Sequence, residues 1–261
     1  MIDKVVILAA GLGNRIARAT STPKPFLTLD GSGAGETFVA WHIRQFAARG
    51  VKQIYVVGNQ VTVKLPVPQP EGCTVTRVLN PTEDINTSGS GHSAWFAWQQ
   101  EPAILDGRSR VVLMDADILY EPAVLDHLDA PARSSKTLVC AEYRESQEEV
   151  MVFGEGDLAK MHGKGLLGTS LVGGLTCVGE ATGMLLWEPQ DHARLREATE
   201  WCMRYSTAKV KSEHEDITQR MMLSGEVIAT GFRDLLFMEC DTPDEYAHLT
   251  SAFYPAVRAR G

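Results

Sequence analysis

An α/β fold with a mixed, mostly parallel central sheet is what this sequence predicts, and three features predict it. The apolar runs Val5-Val6-Ile7-Leu8, Ile54-Tyr55-Val56-Val57 and Val111-Val112-Leu113-Met114 lack polar alternation, the pattern of strands covered on both faces. Helical spacing fills chain between them, as in Phe38, Val39, Ile43, Phe46 and Ala47 before Gly50. From about residue 137 the rhythm shortens to strand-like pieces separated by glycines, which predicts a small antiparallel extension.

Taken in order, the first run, the helix ending at Gly50 and the run Ile54 to Val57 form a βαβ unit, right-handed by the usual steric rule. A loop with Pro66, Pro68 and Pro70 leads to a strand at Val75 to Leu79, a polar Gly/Ser segment and a helix around Ala94 to Gln100. The run Val111 to Met114 ends in Asp115-Ala116-Asp117. Two carboxylates therefore fall at the carboxyl edge of a sheet, where open α/β folds bind ligands. Shorter strands follow at Leu138 to Glu142, Val150 to Phe153 and Ser170 to Val178. Helices are expected at about 189 to 204 and 214 to 223, a strand pair near 227 to 239, and a closing helix after Pro243. With no internal repeat and no low-complexity linker, residues 1 to 261 are expected to form one domain.

Composition narrows the function. The chain is 44% hydrophobic and 22% charged over 261 residues, which supports a buried core and argues against disorder. No apolar run approaches the roughly 20 residues that cross a bilayer, and the N-terminus enters a strand without a basic start and cleavage site. A soluble cytoplasmic protein is expected. Thirty-three acidic against twenty-five basic residues leave a formal charge of −8, which argues against general binding to nucleic acid or an anionic membrane. Local cations can still hold a small anion, and assembly into a homo-oligomer stays open. The five cysteines, Cys73, Cys140, Cys177, Cys202 and Cys240, are odd in number and have no close pairing, so they read as apolar filler, with no disulfide framework or zinc site.

The first strand passes into Ala9-Ala10-Gly11-Leu12-Gly13-Asn14-Arg15, and Pro23-Lys24-Pro25 comes soon after. Glycines at 11 and 13 let main-chain amides approach an anion, and Arg15 and Lys24 can neutralise it, which predicts a nucleoside triphosphate site. A dinucleotide fingerprint is excluded because Ile16 stands where its third glycine belongs, and a Walker loop is excluded because neither Lys24 nor Lys164 lies in a Gly-Lys-Ser/Thr context.

Leu8, Ala9, Ala10, Gly11, Gly13, Arg15, Pro23, Lys24 and Pro25 together resemble the opening of the nucleotidyltransferase family that makes nucleoside-diphosphate sugars and related activated alcohols. The resemblance implies a three-layer α/β/α Rossmann-like fold. It also implies that the loop wraps the nucleotide, that Arg15 steadies the departing pyrophosphate and that Lys24 contacts phosphate near the reacting phosphorus. Mg²⁺ prefers hard oxygen ligands, commonly one or two carboxylates with substrate phosphate oxygens, which suits the strand-end aspartates. In the resembled family the metal-bearing acid precedes an apolar residue, which selects Asp117 before Ile118 and leaves Asp115 to assist or orient. The segment Glu239-Cys240-Asp241-Thr242-Pro243-Asp244 matches the family's second metal aspartate at Asp241, although Asp241 or Thr242 also suits a helix cap before Pro243.

Asn80-Pro81 and the stretch from Asn86 to Ala94 resemble the cytidylyltransferase branch, typified by phosphocholine and phosphonate cytidylyltransferases, more than the sugar branch. That implies CTP, with Ser88, Gly89, Ser90 and Ser93 near cytosine. Gly179, Glu180 and Gly183 resemble a family turn, and Glu213-His214-Glu215-Asp216 resembles its acidic pair, so Glu180, Glu215 and Asp216 are the acceptor-binding candidates. Carboxylates beside Trp187, Trp201 or Tyr205 could hold an ammonium group. Lys160 and Lys164 compete for the acceptor's phosphate, with Lys164 preferred; His92 and His162 read as incidental. The expected reaction transfers CMP from CTP to a small phosphate or phosphonate acceptor and releases pyrophosphate. The chain would divide into an NTP half at about 1 to 130 and an acceptor half at about 131 to 261. A sugar-1-phosphate nucleotidylyltransferase using UTP or dTTP, and a non-catalytic nucleotide-binding regulator, are the competing readings.

Overall fold

The computed structural model describes residues 1–11, 13, 15–16, 20–142, 149–166, 169, 172–206 and 211–261. The sequence readings at Leu12 and Asn14, and the first two positions of the strand expected from Ser170, lie outside them.

The apolar runs become parallel strands β1 (Lys4–Leu8), β2 (Gln53–Gly58), β3 (Thr74–Leu79) and β4 (Val111–Asp115), with β1 between β2 and β4. Helix α1 (Phe38–Ala48) supplies the first crossover, and its N-terminus is capped by the Thr37 hydroxyl accepting from the Ala40 amide. Helix α2 (Ser90–Gln100) begins four residues before the sequence reading placed it, because Gly89 marks the helix boundary. Beyond β4 come β5 (Ile118–Tyr120), α3 (Val124–Asp129), β6 (Lys136–Cys140), β7 (Val150–Glu155), β8 (Leu158–Lys164) and β9 (Thr176–Trp187). The chain closes through α4 (His192–Tyr205), α5 (His214–Ser224), β10 (Ile228–Phe232), β11 (Phe237–Glu239), α6 (Pro243–His248) and α7 (Tyr254–Arg260).

Among the described residues the main sheet runs β3-β2-β1-β4-β9-β6-β10-β8-β7. Strand β9 is antiparallel to both β4 and β6, and its first residues also pair with β7, so the β7–β8 hairpin forms the expected antiparallel extension. The segment from Glu180 to Gly183 is part of this strand. It is therefore a kinked strand where a turn was expected: the β6–β9 register shifts there and Gly183 takes φ +70°.

Alternate strand residues face two cores. Val5, Ile7, Val112 and Met114 pack toward α1, α3 and the C-terminal helices, whereas Val6, Leu8, Leu113 and Leu185 pack toward α2, α4 and α5. The result is the three-layer α/β/α arrangement. The strand pair expected near 227 to 239 is not a pair: β10 lies beside β6 and β8, and β11 pairs antiparallel with β5 in a separate two-stranded ribbon. Hydrophobic pattern marked both segments as strands but carried no information about their partners. No described helix is long and apolar enough to cross a membrane.

Candidate active site

A pocket of about 610 Å³ opens at the carboxyl edge of β1 and β4. One end is built by the β5–β11 ribbon. Its register sets Glu239 opposite Ile118, and the Cys240 amide donates to the Asp117 carbonyl at 3.0 Å, so the chain after β11 lies against the chain after β4. Carboxylate oxygens of Asp117, Glu239 and Asp241 consequently lie within 4.8 Å of one another. This trio of hard oxygen donors fits a divalent cation such as Mg²⁺.

Lys24 lies across this cluster. Its ammonium bridges Asp117 and Asp241 Oδ1, at 2.6 Å to the latter, while Arg15 donates to Asp241 Oδ2 at 2.6 Å. Burial works against the charge on Lys24, but Asp117 and Asp241 outweigh it and hold the pKa above its usual value. Burial pushes Asp241 up, yet Lys24, Arg15 and Lys164 bring it below the usual carboxylate value. Glu239 has no such dominant partner; burial and the two aspartates drive it well up. Gly13 explains how the loop fits under Lys24. It adopts φ +63°, and a Cβ there would stand 2.7 Å from the lysine Cβ.

Asp241 is held by its own helix terminus. Thr242 caps α6 by accepting from the Glu245 amide, and Glu245 Oε2 accepts from the Asp241 and Thr242 amides at 2.7 and 2.8 Å. The cap expected at this segment and the carboxylate aimed at a metal are thus adjacent residues with separate tasks.

Leu8, Ala10, Gly11 and the four residues Ser88, Gly89, Ser90 and Ser93 also line the pocket, whereas Ala9 and Gly13 are not in its lining. Asn80 donates from one amide nitrogen to both the Ser88 and Ser93 hydroxyl oxygens, at 2.9 and 3.0 Å. Ser90 is turned to the opposite wall, its amide and hydroxyl donating to Glu213 Oε2 at 2.6 and 2.8 Å.

Lys164, Glu180, Glu215 and Asp216 line the pocket as well; Lys160 is not in the lining. Asp216 also accepts from the Glu213 amide at 2.9 Å, so it both faces the pocket and caps α5. The aromatic expectation fails. Trp187 is wholly buried, Trp201 stacks under Arg220 on the outer surface and Tyr205 is exposed, so none of the three lines the pocket. Among the described residues the lining contains no Phe, Tyr or Trp.

Two residues, Glu239 and His214, were given no role by the sequence reading, and a third, His162, was read there as incidental. Glu239 joins the metal trio, and the spacing Glu239-x-Asp241 was its available signal, since alternate residues of an extended chain share a face. His162 lines the pocket and its Nε2 lies 2.7 Å from the Glu215 carbonyl. His214 lies 2.8 Å from Asp115 Oδ2; burial lowers its pKa, but Asp115 and Glu215 overcome that and raise it to about 10. Neither histidine had a local sequence signal.

A glycine turn with two cations facing a carboxylate cluster at a sheet edge defines the class as nucleotidyltransferase. The chain belongs to the family with the MobA-like NTP transferase domain, whose model matches residues 5–174. It is 32% identical over 136 residues to the CMP-5'-(3-aminopropyl)phosphonate synthase of Streptomyces rubellomurinus (strain ATCC 31215), a match spanning 51% of this chain and only 20% of that protein. In fold it is similar to the inositol-1-phosphate CTP transferase from T. maritima, with TM-score 0.75 and 17% identity over 99% of this chain and 96% of that one. It is also similar to a UTP-bound UGPase from Acinetobacter baumannii, with TM-score 0.68 and 13% identity over 99% and 98% of the two chains.

Proposed function

We propose that this protein is a Mg²⁺-dependent cytidylyltransferase that moves CMP from CTP to a small phosphonate or phosphate bearing an amino group. The observation that carries the reading is a single pocket lined by two sets of charged groups. Arg15 and Lys24 beside Asp117, Glu239 and Asp241 suit a metal-bound triphosphate, and Glu180, Glu215 and Asp216 suit a cation on the acceptor. The relative named for CMP-aminopropylphosphonate synthesis supports this choice over a sugar acceptor. Carboxylates in the lining suit a cationic group on the acceptor, a primary ammonium or the trimethylammonium of phosphocholine.

Asn80 directs its amide protons to Ser88 and Ser93, which leaves the hydroxyl protons to donate to the O2 and N3 acceptors of cytosine. An acceptor oxygen attacks the α-phosphorus, a new P–O bond forms, the α–β bridging P–O bond breaks and pyrophosphate leaves. The nucleophile is already ionised, so no general base is required. Lys24 and Arg15 stabilise charge on the triphosphate, and Lys164 orients the acceptor anion. Held by Asp117, Glu239 and Asp241, Mg²⁺ supplies positive charge to phosphate oxygens when bound. On this reading the chain is one domain, with residues 1 to 130 serving the nucleotide and 131 to 261 the acceptor and the second metal aspartate.

Pyrophosphate release across four NTPs with 2-aminoethylphosphonate, 3-aminopropylphosphonate, phosphocholine and hexose 1-phosphates tests the proposal. Turnover with CTP and an aminoalkylphosphonate is expected. Preferential turnover of a hexose 1-phosphate with UTP or dTTP would replace it with the sugar reading; CTP binding independent of Mg²⁺ with no turnover on any acceptor would replace it with the regulator.

A further inference from the structure

His214 is buried at the start of α5, yet it touches both halves of the pocket. Its Nε2 lies 2.8 Å from Asp115 Oδ2 at the end of β4, two residues before Asp117. Its main-chain amide donates at 2.8 Å to the Ser90 hydroxyl at the start of α2. On its other side, Nδ1 stands 3.4 Å from Glu215 Oε2 on the acceptor wall and has no hydrogen-bond partner. The strand between them makes room: a Cβ on Gly183 of β9 would come within 2.4 Å of Asp115 Oδ2, and Gly183 holds φ +70°. Two other elements therefore meet at this residue, β4 at the imidazole and α2 at the main-chain amide.

Such an arrangement is more than packing requires. The Asp115 side chain is 28% exposed, so a partly buried carboxylate stands beside the metal trio, which is unfavourable unless it is paired. An ion pair does what an apolar contact cannot, since it fixes direction as well as separation.

We propose that Asp115 and His214 form a positioning strut that sets the acceptor wall, Glu215 and Asp216, at its working distance from the reacting centre beside Asp117. The inference rests on the transferase reading above. Both residues line the pocket, and the task assigned to them is to place α5. Their substitution should therefore damage acceptor use while sparing the nucleotide.

The test measures pyrophosphate release with 2-aminoethyl- and 3-aminopropylphosphonate, together with calorimetric binding of CTP and of Mn²⁺. In His214→Phe and in Asp115→Asn, kcat/KM for the acceptor should fall by about a hundredfold, the effect of misplacement near an ångström, chiefly through KM, with CTP and Mn²⁺ affinity unchanged. The double variant should be no worse than either single one, because the pair acts as a unit. His214→Gln, which can still donate to Asp115, should recover part of the loss, and the preference between the two acceptor lengths should narrow wherever the strut is broken. Gly183→Ala disturbs the pair without changing its charges, and should reproduce the pattern should either side-chain variant fold poorly. Equal losses in CTP or Mn²⁺ affinity would assign Asp115 to the metal site and overturn the strut. Unaltered acceptor kinetics would also overturn it. Silence of the wild-type protein on every acceptor would instead remove the transferase reading, and with it the task assigned to the strut.

Discussion

Replacing Lys24 with Met puts the electrostatics of the site to a direct test. The side chain is 10% exposed, and its ammonium is shared between two aspartates whose side chains are each 19% exposed. At 2.6 Å and an effective dielectric near 20, the gross attraction to Asp241 is about 6 kcal/mol, most of which offsets desolvation. Removing one partner of a buried pair typically destabilises by about 3–5 kcal/mol; with residual exposure and Arg15 still on Asp241, we expect about 2–3 kcal/mol here. That corresponds to a fall of roughly 1 M in the urea midpoint. The pH dependence gives the sharper signature. Without the ammonium the three carboxylates repel one another unopposed, so the K24M native state takes up protons more readily than the wild type as pH falls. The deficit of K24M relative to wild type should therefore shrink between about pH 8 and about pH 5. Urea titrations at both values, without added metal, measure it. Pyrophosphate release should fall about 10²–10³-fold, as for loss of one preorganised charge donor. A deficit that is equal at the two pH values, or larger at the lower one, would refute the electrostatic account of this cluster.

Other perturbations address separate parts of the structure. Glu239→Gln should weaken Mn²⁺ binding by at least the roughly 10–100-fold seen for outer contacts of metal sites, measurable by calorimetry without nucleotide. His42 is fully buried, with Nε2 and Nδ1 each 3.2 Å from the Ala116 carbonyl and the Tyr120 hydroxyl, and burial lowers its pKa from 6.5 to about 3. The unfolded chain then binds the extra proton between those values, so stability should drop by about 1.4 kcal/mol per pH unit on acidification, and His42→Phe should remove that slope in denaturant titrations. Gly13→Ala should cost about 1–2 kcal/mol in backbone strain and displace Lys24, lowering both the melting temperature and pyrophosphate release.

Much of the site was legible because its signals are short. The turn after β1, the cations Arg15 and Lys24, and the acidic ends at Asp117 and Asp241 each announce themselves within a few residues, and the structure brings them to one pocket. What stayed hidden has no short-range expression. Trp187 and Trp201 are large aromatic side chains near acidic positions in sequence, but strand alternation and helix packing send one into the core and the other to the surface. The Glu180 to Gly183 segment was expected to be a turn from its resemblance to a family turn, whereas Gly183 lies at a register shift within a long strand.

The chain's local patterns alone determined the α/β class, the order of its main elements and the chemistry available at each strand end, because side-chain periodicity and backbone-permissive glycines act over a few residues. Tertiary structure alone decided which ends meet. Pairing of β11 with β5 carries Glu239 and Asp241 to Asp117, and packing of α5 against α2, α4 and β8 carries His214 to Asp115. Those neighbours are set by hydrogen-bond register and by the filling of a shared core, which depend on the whole chain at once.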